Sequence, residues 1–110
     1  MVDTYYVMRY YVSRNMNDPN LLILASLADG DKHGYAIMID VRTFADVTLG
    51  PGTLYGAITR LEERGLIRPV GTDDRRQSYR LTAAGRQHLE AELASLQSVV
   101  RTGIRRLGKA

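Results

Sequence analysis

The hydrophobic positions of this chain fall into five segments from residue 18 onward, and each predicts an element. Across DPNLLILASLAD, residues 18–29, Leu21, Leu24 and Leu27 with Ile23 and Ala28 leave little polar surface, which predicts a mostly buried helix. Asp18 suits its N-cap, Pro19 its first turn, and Gly30 its end. Over residues 33–45 the helical period returns, with Tyr35, Ile39 and Arg42 on one side and Ala36, Ile37, Val41 and Phe44 supplying core contacts. After a β-rich link, Val47-Thr48-Leu49, a third helix starts at Pro51. Its Leu54, Ile58 and Leu61 recur at i, i+4 and i+7 and form one apolar stripe. Gly65 stands where a left-handed C-terminal residue is wanted.

The period then changes. Leu66 to Val70 and the alternating Gln77 to Leu81 flank a polar turn, Gly71-Thr72-Asp73-Asp74, followed by Arg75 and Arg76. Two short strands around such a turn predict a β-hairpin. A helix followed directly by a hairpin is the order of a winged helix-turn-helix. From Thr82, an N-cap residue, to Leu107 the chain reads as one helix, about 39 Å long at about 1.5 Å per residue. Leu89, Leu93, Leu96, Val100, Gly103 and Leu107 follow a 4-3-4-3-4 spacing, with Val99 and Ile104 beside them, which is the pattern of a two-chain seam. The predicted fold is therefore mainly α with a small β-hairpin. Its parts are a tyrosine-rich extension over 1–17, a winged helix-turn-helix over 18–81 and a dimerisation helix over 82–110. In the extension, Tyr5, Tyr6, Tyr10 and Tyr11 fit a helix with a broad aromatic face, with an irregular strand as the alternative.

Composition narrows the chemistry. The chain of 110 residues has no cysteine, so disulfides, thiolate metal sites and a cysteine nucleophile are excluded. His33, His88 and scattered acids are too few and too separated to suggest a metal site, and no cofactor is implied. No apolar run approaches the roughly 20 residues of a membrane span, and the N-terminus lacks the basic start of a signal peptide. A soluble, cytoplasmic protein is expected. The net charge of +3 hides an asymmetry: residues 1–59 carry −2 and residues 60–110 carry +5. A basic second half that holds a hairpin and a helix suits a phosphate-facing surface.

Opposite the Leu54 stripe, at 100° per residue, lie Gly52, Thr53, Gly56, Thr59, Arg60 and Glu63, with Tyr55 at the border. Small residues let a helix approach base edges, Thr meets a base edge or a thymine methyl, and Arg takes guanine in bidentate fashion. Gly56 costs about 1 kcal/mol against Ala in a helix interior, and close approach to a partner is a reason to tolerate that cost. Arg75 and Arg76 at the hairpin turn suit phosphates or a minor-groove edge. His33, at a helix N-terminus, suits either a cap or an anion contact.

These residues also resemble the PadR-like transcriptional regulators. The motifs are His33-Gly34-Tyr35-Ala36-Ile37, then Gly52-Thr53-Leu54-Tyr55 with Arg60 to Ile67, then Arg75-Arg76-Gln77-Ser78-Tyr79-Arg80-Leu81-Thr82-Ala83-Ala84-Gly85-Arg86, spread over about Leu21 to Leu96. The single C-terminal helix resembles the short subfamily. The resemblance implies a homodimeric winged-helix repressor on a pseudo-palindromic operator, dimerised through Leu89, Leu93, Leu96, Val99, Val100, Ile104 and Leu107. The DNA-contacting set it implies adds Tyr35, Gln77 and Tyr79 to His33, Gly52, Thr53, Tyr55, Gly56, Thr59, Arg60, Arg75 and Arg76. Some relatives bind a small planar aromatic or phenolic effector between subunits and then release DNA. Three departures stand out: the chain has no Trp for stacking in the C-terminal helix, Gly50 replaces the frequent serine cap, and the tyrosine-rich start extends the family core.

Two other classes remain as alternatives. A winged-helix protein-protein interaction module without DNA binding would want a more apolar or acidic exposed face than the one around Gly56. An enzyme would need a nucleophile and base at usable spacing, a metal set or a phosphate loop, and none is found.

Overall fold

The computed structural model describes residues 18–71 and 76–108. The readings made for the tyrosine-rich segment and for Arg75 fall outside that range. Helix α1 (Pro19–Leu27) leads into strand β1 (Lys32–His33), followed by α2 (Gly34–Ala45), α3 (Pro51–Glu63), β2 (Ile67–Val70), β3 (Ser78–Leu81) and the long α4 (Ala83–Arg106).

Helix α1 is the hub. Leu21, Leu22, Ile23, Leu24, Ser26 and Leu27 are all buried, because α2, α3, α4 and β3 pack around it. Its Asp18 cap accepts from the Asn20 amide at 2.9 Å, with Pro19 in the first turn. The buried Ser26 hydroxyl donates to Asp40 at 2.7 Å and so is satisfied inside the core.

Helix α3 carries the predicted stripe: Leu54, Ala57, Ile58 and Leu61 are buried. It ends in a Schellman motif, in which Gly65 at φ +74° donates to the Glu62 carbonyl at 2.9 Å and Leu66 donates to the Leu61 carbonyl at 3.0 Å. Gly50 gives no side-chain cap to the helix start. Thr82 does more than cap α4 through the Gly85 amide at 3.0 Å. Its hydroxyl also donates to the Gly65 carbonyl at 2.7 Å, joining the end of the hairpin to the end of α3.

The structure adds to the sequence reading and corrects it in places. The sheet has three strands in the order β1-β3-β2, all antiparallel, and not two. His33, at the helix start as expected, caps α2 and also ends β1, a strand not foreseen. The link over residues 47–49 buries its Leu49 between α2 and α3. A further correction concerns the C-terminal stripe. Leu89, expected at the dimer seam, is only 5% exposed inside this chain's own core, and Leu96 packs partly against the same core. At Leu89 and Leu96 the stripe faces the body, and the rest of it is exposed. There Leu93, Val99, Val100, Ile104 and Leu107 are 46 to 69% exposed.

Candidate nucleic-acid interface

The exposed side of α3 is the side expected. Gly52, Thr53, Tyr55, Thr59, Arg60 and Glu63 are exposed and Gly56 is half-buried, while the Leu54 stripe beneath is sealed. One helix therefore anchors itself with one face and offers a low-bulk, polar and cationic face to its surroundings. Gly56 has a local role as well, because a Cβ placed there would lie 3.5 Å from Arg60 Nη1. The guanidinium thus folds back over the glycine, one turn away. Thr59 donates its hydroxyl proton to the Tyr55 carbonyl at 2.9 Å, so it presents its methyl and an oxygen lone pair outward.

Beside α3 lies a groove of about 680 Å³, bounded by the start of α2 and by the wing. His33, Gly34, Tyr35, Ala36, Ile39, Tyr55, Arg76, Gln77 and Tyr79 line it, so residues far apart in sequence meet on one surface. Tyr35, 64% exposed, and Tyr55, 49% exposed, stand at its sides. The His33 imidazole accepts the Ala36 amide through Nδ1 at 3.2 Å. With Nδ1 as acceptor, the neutral ring carries its proton on Nε2, leaving one N–H donor for a partner. The cap takes Nδ1 alone, so it does not compete for Nε2 with the anion contact that the sequence offered as the alternative.

Two members of the set sit differently from the reading. Tyr79 is 8% exposed and points with Leu81 to the inner face of the sheet, so it forms the groove floor and presents no free side chain. Burial pushes its phenol above the ordinary tyrosine range, and the Glu62 carboxylate and Tyr55 add to that direction. It stays neutral. Gln77 donates from Nε2 to the Val70 carbonyl at 2.9 Å and to the Ser78 carbonyl at 3.0 Å, bracing the base of the wing. Only its carbonyl oxygen is left for a partner. Arg76, at the described end of the wing, is exposed.

A charged row was missed in the sequence. Arg80 grips Asp31 with Nε at 3.0 Å and Nη2 at 2.7 Å, across 49 residues of chain. The guanidinium holds the Asp31 carboxyl below its usual range, and Arg68 adds to that shift. Alternation along β3 could have placed Arg80 on the outer face; nothing local could have supplied Asp31. Among the described residues no group of acids and histidines is arranged to hold a metal ion, and no helix is long and apolar enough to cross a membrane.

A 37.1 kDa protein encoded in transposon TN4556 of Streptomyces fradiae, with no assigned function, is 46% identical over 80 residues; the match takes in 73% of this chain but only 23% of that protein. Among solved structures, a PadR family transcription regulator of Clostridium difficile R20291 superposes with a TM-score of 0.70 at 26% identity, covering 81% of this chain and 96% of its own. A transcriptional regulator of Clostridium thermocellum superposes with a TM-score of 0.69 at 28% identity, covering 86% and 95%. The model of the transcriptional regulator PadR-like family matches residues 23–91, from the middle of α1 to the first half of α4. With its winged helix, exposed low-bulk α3 face and arginine-bearing wing, the chain belongs to the PadR-like family of DNA-binding transcriptional regulators.

Proposed function

We propose that this chain acts as a cytoplasmic homodimeric repressor that reads a pseudo-palindromic operator with α3 in the major groove and the wing on the adjoining backbone. The observation that carries the reading is the division of α3 into a sealed apolar stripe and an exposed face of Gly52, Thr53, Tyr55, Thr59 and Arg60. Polar, small and cationic side chains are the chemistry of base-edge contact. They suit an apolar protein partner poorly, which speaks against a pure protein-interaction module.

Dimerisation rests on the outer stripe of α4. Leu93, Val100, Ile104 and Leu107 stay within about 60° of one line on the helix and are exposed, Leu93 between Leu89 and Leu96, which meet the body, and the other three beyond them. A contiguous apolar strip on a projecting helix suits a second copy related by a two-fold axis. That axis sets two α3 helices about 34 to 36 Å apart, one turn of DNA. Release by a small planar aromatic or phenolic effector is the regulation that the family resemblance implies.

Sedimentation of the full chain, with and without duplex from the regulated promoter, tests the reading. A dimer that binds one duplex supports it. A monomer that binds no DNA contradicts it.

A further inference from the structure

The outer face of the wing sheet carries a second ordered row of charge that the reading above does not use. Register pairs Arg68 with Arg80 across β2 and β3, and one step beyond the Lys32–Tyr79 pair Asp31 reaches Arg80 from the β1 side. The row therefore reads carboxylate, guanidinium, guanidinium across three strands. Like charges directly opposite each other on a sheet face are unfavourable, yet Arg68 and Arg80 are both exposed there, with one carboxylate to offset them. The neighbouring row is His33, Ser78 and Val70. A shallow groove of about 560 Å³ runs along this face past Asp31, His33, Ser78, Arg76 and Arg80. His33 and Arg76 also line the groove beside α3, so the two surfaces are continuous around the edge of the wing.

We infer that this outer face is a second contact surface for the phosphate backbone of duplex DNA flanking the operator, on which Arg68 and Arg80 act while Asp31 restrains Arg80. The inference rests on the DNA-binding reading and extends it to residues outside the recognition set. Charge complementarity and continuity with the α3 groove select DNA as the occupant. The bidentate bond to Asp31 occupies the fork with which Arg80 would grip a phosphate. Asp31 thereby limits sequence-independent affinity and leaves discrimination to α3. Such a carboxylate acts as a brake: its removal frees one guanidinium and deletes one charge that repels the backbone.

The test is fluorescence anisotropy of the full-length protein, with an operator duplex and a random duplex of equal length, over a series of NaCl concentrations. Arg68→Ala should reduce the magnitude of the log affinity against log salt slope by about one on both duplexes. Asp31→Asn should tighten random-duplex binding roughly tenfold at about 0.1 M salt and steepen its slope. Arg80→Ala loses its partner bond and could unsettle the sheet. Arg68 takes part in no ion pair among the described residues, so the Arg68→Ala variant stands independent of that bond. An Arg68→Ala slope equal to wild type, or an Asp31→Asn protein that binds random duplex no more tightly, overturns the inference. A wild-type protein that binds neither duplex refutes the DNA-binding reading itself; wild-type binding with unchanged variant slopes refutes only the role of this face.

Discussion

The ring of Tyr55 lies against Gly34: a Cβ built on Gly34 would stand 2.5 Å from the Tyr55 hydroxyl oxygen and 2.9 Å from Cζ. A residue of α3 is thus positioned by the bare backbone at the start of the preceding helix. Gly34→Ala should push the half-exposed ring out of place at little cost to folding, because the displaced atoms are the tip of a flexible side chain. Operator affinity should fall. In a double-mutant cycle with Tyr55→Ala the two losses should be non-additive, by about 0.5 to 3 kcal/mol; strict additivity in the anisotropy titrations would deny the coupling.

Gly85 has no such latitude. Its Cβ would fall 1.9 Å from the Leu66 carbonyl oxygen, and that carbonyl already accepts the Thr82 amide at 3.1 Å. Relief requires moving α4 away from the α3 C-terminus. Gly85→Ala should destabilise the protein by about 3 kcal/mol, the upper range of overpacking, as measured by urea unfolding. Gly103→Ala meets nothing within 4 Å and should cause no such loss.

Gly56 separates stability from function. Replacing it with Ala places a methyl in ordinary contact with Arg60 and removes a glycine from a helix interior, a gain of about 1 kcal/mol in unfolding free energy. If α3 approaches base edges as proposed, the same change should weaken operator binding while binding to random duplex is retained. Titration of both duplexes against the variant, beside its thermal unfolding curve, checks the opposite signs.

Acid sensitivity follows from two exposed carboxylates. Asp31, hydrogen-bonded to Arg80, and Asp29, bonded to Lys32, both have pKa values lowered in the folded state. A depressed carboxyl contributes stability that is fully present above its unfolded pKa of about 3.9 and is lost as pH falls through the folded value. Stability should therefore be flat near neutrality and fall below about pH 4. Asp31→Asn should remove its share and make that fall shallower in pH-dependent urea melts.

Much of this was legible in the sequence, and for physical reasons. Helices α1, α3 and α4 announce themselves through local signals: Asp18-Pro19, the Leu54 stripe with Gly65, and Thr82. What escaped depends on partners distant in the chain. Strand β1 has two residues, too few for alternation, and exists because Lys32 and His33 find Tyr79 and Ser78. Gly85 and Gly103 look alike in a helical sequence, yet only one meets a carbonyl. A heptad-like stripe states that Leu89 needs a cover without saying whose, and the body supplies it. Tyr79 was recoverable: in Ser78-Tyr79-Arg80-Leu81, alternation with a core Leu81 already points it inward.

The central claim is that two copies of α3 grip one duplex, and footprinting the purified full-length protein on its promoter tests it most directly. The account predicts two protected major-groove segments centred about one helical turn apart, roughly 10 bp, both lost when Arg60 and Thr53 are replaced by Ala. A single protected segment, or protection that survives those replacements, would contradict it.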